Sequence, residues 1–506
     1  MATYNRPGVY ISERLLPAPV ATAGTAQAAG AVVGSFASGP TEATLVSSWY
    51  EFTKYFGGYN ALYPATFQVG AFFQNGGRDL YVRRVLAADA SAAIATIGRA
   101  SGNGTVATVT AKSKGTDGNN LRVKFSTSAL GGNYVDLFVY KEGVAGTGTD
   151  ITNDVLLESY ENVLTTIPSS SDYLETAVNL TSKYITVDVV DNVNLPSTAV
   201  VPLTSGANGS SIIASDYTDV ATGVVASLST IARPLVIFAP DLRTTLSAGD
   251  AATVYLDLIS FATSTGLHFV VADTQEDRTV AQALTQATAI TGSSHSAVYY
   301  PHYYISDPVG RSSSSIRKVG PAGAVAGIYM NTDAVTGPFK APAGIGTTVQ
   351  GAIALEKAFS SAELDSMNSA TSPINPIRQL PGAGISVMGA RTLKQDGTAN
   401  KYVNMRRSLI YLRKALNDAS QFALFENNDE KLWARINTSF TVILNDYRNQ
   451  GGLRGNTPAE AFFVKVDAEN NPDELIAQGQ VHIEVGVALQ YPAEFVVITL
   501  SQKTAN

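Results

Sequence analysis

Four histidines, a glycine-rich run and a cluster of cations are the parts of this sequence that could do chemistry. His268, His295, His302 and His482 are its only imidazoles. None sits in H-E-x-x-H or another close pair with acidic company, the spacing that turns zinc ligands to one helix face. A zinc site would need convergence from distant parts of the chain, and isolated hydrogen-bonded histidines are the plainer reading. Asp273, His295 and one of the serines 312–315 could compose a hydrolase triad, yet no G-x-S-x-G elbow presents a nucleophile. Gly320-Pro321-Ala322-Gly323-Ala324-Val325-Ala326-Gly327 and Gly382-Ala383-Gly384 come nearest to a phosphate cradle. Their spacing fits neither a Walker A loop nor a dinucleotide fingerprint, so close backbone packing and tight turns are the better use for these glycines. No catalytic group, metal ligand set or cofactor site is assigned.

The cations Arg406, Arg407, Arg413 and Lys414 form two pairs seven residues apart, and such pairs share a helix face. Leu409, Leu412 and Leu416 mark the opposite side. No Asp or Glu lies between Lys401 and Lys414, which leaves the patch uncompensated locally. An ordinary solvated face is one reading, and an electrostatic contact with an acidic partner surface is the other.

The elements that must position these residues belong to a chain too long for one core. At 506 residues, two to four domains are expected. Charged residues make up only 15% against 45% hydrophobic, so much of the surface is expected to be covered by copies or partners. A net charge of −7 without a long basic run argues against direct nucleic-acid binding. The absence of cysteine excludes disulfides and thiolate metal sites. Arg6, Glu13 and Arg14 interrupt any apolar leader in the first 20 residues, and no run approaches the roughly 20 apolar residues of a membrane span. A soluble protein with no membrane insertion is expected.

Periodicity predicts helices over 44–56 and 66–74 and a strand over 79–85. Buried strands over 235–239, 268–272 and 297–300 alternate with helices over 251–263 and 279–291, the pattern of a layered α/β domain. Between them, residues 91–217 change texture. Ser, Thr, Gly, Asn and Val dominate alternating runs at 105–110, 121–126, 135–140 and 184–190, which predicts an inserted all-β domain of sandwich type. Helices over 406–421 and 429–448 and a strand over 480–489 close the body. The resulting division is an arm at 1–20, a discontinuous α/β core at 21–90 and 218–375, the insert at 91–217, a C-terminal α/β domain at 376–490 and a second arm at 491–506. Each arm carries a β-rich run set off by Pro or Gly: Tyr4, Val9, Tyr10 and Ile11 in the first, Phe495, Val496, Val497, Ile498 and Leu500 in the second. Unpaired strands invite pairing with another chain.

A further set of segments stands out in order: Arg6-Pro7-Gly8-Val9-Tyr10-Ile11, Phe56-Gly57-Gly58, Phe72-Phe73-Gln74-Asn75-Gly76-Gly77, Tyr81-Val82-Arg83-Arg84-Val85 and Val319 through Tyr329 with Thr332-Asp333. Later ones are Gly389-Ala390-Arg391-Thr392-Leu393, Tyr402-Val403-Asn404-Met405-Arg406-Arg407, Ala461-Phe462-Phe463-Val464-Lys465 and Pro492-Ala493-Glu494-Phe495. Taken together, these resemble the contractile tail sheath family of phages and related injection systems. His302 stands where the family usually has an aromatic residue, and Gly389 follows Met388 where it often has Trp. The resemblance implies a structural subunit, not an enzyme, with a subtilisin-like central domain that is not a protease. It implies six-membered rings stacked helically around a tail tube, arms that add strands to neighbouring subunits, and a basic helix facing an acidic tube. The partners it implies are other copies, the tail tube protein, and baseplate and tail terminator proteins. The expected location is the virion tail, assembled in the host cytoplasm. Contraction would then release energy stored on assembly to drive the tube through the host envelope. A sheath from a non-phage injection system or bacteriocin is the alternative. A hydrolase centred on 218–370, or a secreted adhesin or surface-layer protein, are readings from other classes.

Overall fold

The computed structural model describes residues 27–143, 149–219, 223–240, 242–290, 292–312 and 314–494. The arm residues Tyr4, Val9, Tyr10, Ile11, Phe495, Val496, Val497, Ile498 and Leu500 lie outside these. The body divides into two compact units, one of Ala28–Ile410 with the residues from Tyr491 on, the other containing Tyr411–Gln490.

In the larger unit, eight strands pair in the order Gly384–Val387, Ile374–Leu380, Ser296–Tyr300, Phe269–Asp273, Leu235–Phe238, Ala29–Gly34, Leu80–Arg84 and Thr44–Val46. The inner six are parallel, and an antiparallel strand closes each edge. Four of the inner strands are buried at every position, as strands covered on both faces must be. Alternate side chains go to opposite sides. Val32, Phe238, Val271 and Tyr299 join one apolar cluster with the helices Ala65–Gln74 and Ala322–Val335. Val33, Ile237, Val270 and Tyr300 join another with Ala248–Thr265 and Val280–Thr288.

The glycine-rich run is the helix Ala322–Val335 and the turn before it. A Cβ at Gly323 would lie 2.2 Å from the Gln68 carbonyl oxygen, and one at Gly327 would lie 2.3 Å from that of Phe72. Glycines four apart thus let this helix touch the backbone of Ala65–Gln74, the close packing expected from the sequence.

Two expectations for the larger unit need correction. Residues 44–46 are a strand, not the first turn of a helix. Their backbone pairs with Leu80–Val82, and the helix starts only at Trp49, capped by the Ser48 side chain. The boundary at 376 falls inside the strand Ile374–Leu380, which pairs with Ser296–Tyr300, so the large unit continues to Ile410.

Residues 92–202 build two antiparallel sheets. One holds Ala92–Gly98, Thr105–Lys114 and Ile185–Val189; the other holds Val200–Pro202, Leu121–Thr127, Tyr134–Lys141 and Val155–Leu164. Ile97, Val109 and Val187 from the first meet Val123, Phe125 and Leu137 from the second in one apolar cluster. The buried Arg84 guanidinium joins this segment to the core. It donates to the carbonyls of Phe36 (2.9 Å), Gly39 (3.0 Å) and Lys114 (2.7 Å) and to Ser113 Oγ (2.9 Å). Burial outweighs the opposing pull of Tyr63 and Asp117 and lowers its pKa to about 10.

In the smaller unit, Asp429 caps the helix Glu430–Asn449 by accepting from the Leu432 amide at 2.9 Å. Leu432, Trp433, Ile436 and Phe440 line the apolar face of that helix over Val466, Val464 and Val485. Phe462–Lys465 and Glu484–Val487 form a two-stranded antiparallel sheet. The expected strand over 480–489 is shorter at both ends. The Asn471 side chain holds both the amide (2.6 Å) and the carbonyl (3.0 Å) of His482, which keeps that residue out of the ladder. Among the described residues no helix is long and apolar enough to cross a membrane.

Candidate functional site

The residues proposed as a triad have other partners. Asp273 Oδ1 accepts from the Ala322 amide at 2.7 Å, and Oδ2 accepts from Gln68 Nε2 at 2.7 Å. Gln68 Oε1 in turn takes the Gly323 amide at 2.9 Å. This carboxylate is thus a clip at the N-terminus of the glycine helix, where negative charge is favoured. His295 places Nδ1 2.9 Å from the His268 carbonyl, while Ser312 and Ser314 pair with each other at 2.8 Å on the surface. The cavity beside Asp273, His302 and Lys318 holds about 50 Å³, room for water and not for a substrate. Among the described residues no three His, Asp or Glu side chains converge as metal ligands would.

The four cations lie on the helix Val403–Ser420, and the seven-residue spacing sorts them by environment. Arg413 is exposed and Arg406 half-buried, whereas Arg407 and Lys414 are only 4% and 8% exposed. Arg407 pairs with Asp333 and lies over the Tyr329 ring, 4.5 Å from its centroid. Tyr329 Oη is 2.6 Å from Tyr299 Oη, so the chain of contacts ends on a strand of the central sheet. Burial pushes the pKa values of Asp333 and both tyrosines up. Lys414 pairs with Asp418, four residues on, and Arg406 donates to Asn400 Oδ1. The expectation of an uncompensated face turned from the core therefore fails at Arg407 and Lys414. Counting acids only between 401 and 414 misses Asp418 just beyond and Asp333 74 residues upstream. One signal was available: Tyr329 and Asp333 are spaced i, i+4 on one face of a strongly apolar helix, a place for a buried cation.

Among the described residues, one side of the two-stranded sheet is unpaired. The Ala488 amide donates to the Ala461 carbonyl at 2.8 Å. Hydrogen-bonded pairs alternate along an antiparallel ladder. In the observed register, Val485 and Val487 therefore turn their N–H and C=O groups away from Phe462–Lys465. On the opposite edge the Val464 carbonyl is taken by Asn437 Nδ2 at 3.2 Å. Among the described residues no strand pairs with the Val485–Val487 edge.

Comparison with known proteins gives this arrangement a context. No family profile matches the sequence. A tail sheath protein of Vibrio phage KVP40 is 30% identical over 165 residues, 32% of this chain but only 23% of that protein's length. The fold is matched far more widely. The contracted helical sheath of the anti-feeding prophage covers 99% of this chain, and all of its own, at a TM-score of 0.59 and 21% identity. A sheath tail protein from Listeria innocua covers 93% of this chain and 98% of its own at a TM-score of 0.62 and 14% identity. This is the contractile sheath fold. The contracted PVC sheath of an extracellular contractile injection system has it as well, at a TM-score of 0.56 and 19% identity over 99% of both chains.

The resemblance to contractile tail sheath proteins is thus present in both sequence and fold. These similar proteins are sheath proteins of phage-type tails and contractile injection systems. The described residues end at Glu494, and the Val485–Val487 edge, unpaired among the described residues, belongs to the smaller unit.

Proposed function

We propose that this chain is a sheath subunit that polymerises as stacked helical rings around a tail tube and contracts to drive the tube through a host envelope. The observation that carries this reading is the correspondence of 99% of the chain with subunits of a contracted sheath. The parallel core and the two-sheet insert support the subtilisin-like and sandwich-like readings of those parts. The sequence match to a phage sheath favours a phage tail, with a virion location and baseplate, terminator and tube proteins as partners. The wider fold matches to the anti-feeding prophage and PVC sheaths favour an extracellular injection system as the second reading.

Assembly follows from strand addition. The Val485–Val487 edge offers N–H and C=O groups, and the arms around Tyr4, Val9, Tyr10, Ile11 and around Phe495, Val496, Val497, Ile498, Leu500 offer β-rich strands from other copies. About six paired residues at ~0.5–1.5 kcal/mol net per bond give roughly 3–9 kcal/mol. Each fully buried valine or isoleucine adds about 1.5–3 kcal/mol. Such joints hold while the bodies move. Tube contacts must release, and exposed charge pairs worth only about 0–1 kcal/mol each suit that role. Of the four cations, Arg413 is exposed and makes no ion pair among the described residues, so it can make such a contact without breaking one there.

Negative-stain microscopy of the purified protein tests the reading. Long hollow cylinders are expected, and a chain deleted for residues 1–14 should stay a folded monomer. Monodisperse wild-type subunits at every concentration would overturn the proposal.

A further inference from the structure

We propose that Arg391 and Glu494 form a clamp that fixes the root of the C-terminal arm to the central sheet, so that the arm begins its reach to another subunit from a set point. The inference rests on the strand-exchange reading above and names the residues that make one arm usable.

Arg391 is itself held from both ends. Its amide donates to Asn375 Oδ1 at 2.7 Å, and its carbonyl accepts from Asn375 Nδ2 at 2.8 Å. Asn375 lies buried in the strand Ile374–Leu380 and also donates to the Val298 carbonyl of the adjacent strand at 3.1 Å. The backbone at 391 is thus riveted to two strands of the parallel sheet. Its guanidinium then meets Glu494 as a fork, Nε to Oε1 at 2.6 Å and Nη2 to Oε2 at 2.8 Å, while Nη1 donates to the Asn368 carbonyl at 2.7 Å. Two parallel charge-assisted bonds fix orientation as well as distance, which a single contact cannot do.

Tyr402 adds a second grip. It bridges to Arg391 across the backbone and donates its hydroxyl to Glu494 Oε2 at 3.3 Å. Its ring meets that of Tyr491 edge-on, with centroids 6.3 Å apart. Residues 491–494 are therefore held at both ends of a four-residue span.

The span contributes little to the core. Tyr491 is 57% exposed, and Ala493 and Glu494 are exposed as well. Fold stability does not account for such a built anchor on an exposed segment. Position does: residues 495–506 follow Glu494 directly and contain the β-rich run 495–500. A floating root would let the arm search a large volume, lowering the effective concentration of its strand at the acceptor edge.

The test uses the full chain with Glu494→Ala and the charge swap Arg391→Glu with Glu494→Arg. A spin label on Ala493→Cys, in a chain with no other cysteine, and the yield of assembled cylinders are read together. Glu494→Ala should shorten the label's rotational correlation time by about twofold or more, as expected when a held segment gains nanosecond motion. It should lower cylinder yield by at least about tenfold. The thermal unfolding midpoint should fall by no more than about 2–4 °C, because the paired side chains, 14% and 24% exposed, are partly screened by water. The swap should restore part of the label's immobilisation. Unchanged label mobility, or wild-type assembly by Glu494→Ala, overturns the clamp. Failure of the wild-type chain to assemble overturns the sheath reading instead, and label mobility still decides whether Glu494 is clamped.

Discussion

Replacing Gly323 with alanine probes the packing that seats the glycine-rich helix on the core. The new Cβ would lie 2.2 Å from the Gln68 carbonyl oxygen and 2.8 Å from its carbonyl carbon, where ordinary contact begins near 3.4 Å. Neither atom can rotate away, so the helices Ala65–Gln74 and Ala322–Val335 must part by about 1 Å to reach ordinary contact. Overpacking of this kind costs about 1–3 kcal/mol. Parting also strains the Gln68 bond to the Gly323 amide, and leaving that buried donor unsatisfied costs about 1–3 kcal/mol more. Better helix propensity returns about 1 kcal/mol. The net loss is about 1–5 kcal/mol against a typical domain stability of about 5–15 kcal/mol. Urea unfolding can be read from Trp49 alone in a Trp433→Phe background, because the chain has only these two tryptophans. Gly58→Ala is the control: nothing lies within 4 Å of its added Cβ, and alanine there should be neutral or stabilising by up to about 1 kcal/mol. If Gly323→Ala and Gly58→Ala unfold at the same urea concentration, the close-contact argument is wrong.

Arg407→Met should lower stability by about 3–5 kcal/mol by stranding Asp333, and adding Asp333→Leu should recover a large part of that loss. Strictly additive losses in this double-mutant cycle would show that the two are not coupled. Burial holds His268 and His302 at pKa values of about 4, helped by His295 and Lys318 respectively. Protons therefore bind the unfolded chain first, near pH 6.5. The neutral rings contribute fully above that pH, and their contribution is lost as pH falls from 6.5 towards 4, on the order of 3 kcal/mol each. For His268 the physical cause is visible, since Nδ1 accepts the Leu235 amide at 3.2 Å and a proton there would break the bond. A urea midpoint that stays flat between pH 7 and pH 4.5 would refute this. Arg413→Glu should leave subunit stability unchanged yet reduce extended assembly on tubes, whereas Arg407→Glu should destabilise the subunit itself. Normal yields of tube-bound extended particles from Arg413→Glu would remove that residue from the tube contact.

The central sheet was legible because parallel strands write their burial locally. The runs at 235–239, 268–272 and 297–300 are apolar apart from His268, and the strands lie within a residue of those bounds. The edge strand Thr44–Val46 was not legible, because its conformation is set by pairing with Leu80–Val82, well along the chain. The strand over 480–489 was overextended for a similar reason: the Asn471 side chain competes for the backbone of His482, and alternation in the sequence does not register that competitor. Arg391 and Glu494 each fell within segments resembling the sheath family, yet nothing in their spacing joins residues 103 positions apart. Side-chain pairing at long range is what periodicity leaves out.

The same limit explains why the cations on Val403–Ser420 divide as they do. A seven-residue repeat fixes that Arg406 and Arg413 share one direction and Arg407 and Lys414 another. It does not fix which direction meets an acid. Arg407 meets Asp333, and through Tyr329 and Tyr299 its helix is tied to the strand Ser296–Tyr300. On the proposed sheath reading, a subunit that moves as a body needs such internal ties as much as it needs releasable charges outside. Neutralising Arg407 and neutralising Arg413 should therefore separate the two needs, one loosening the body and the other leaving it whole. Equal effects on isolated-subunit stability would mean that the helix has a single charged face after all.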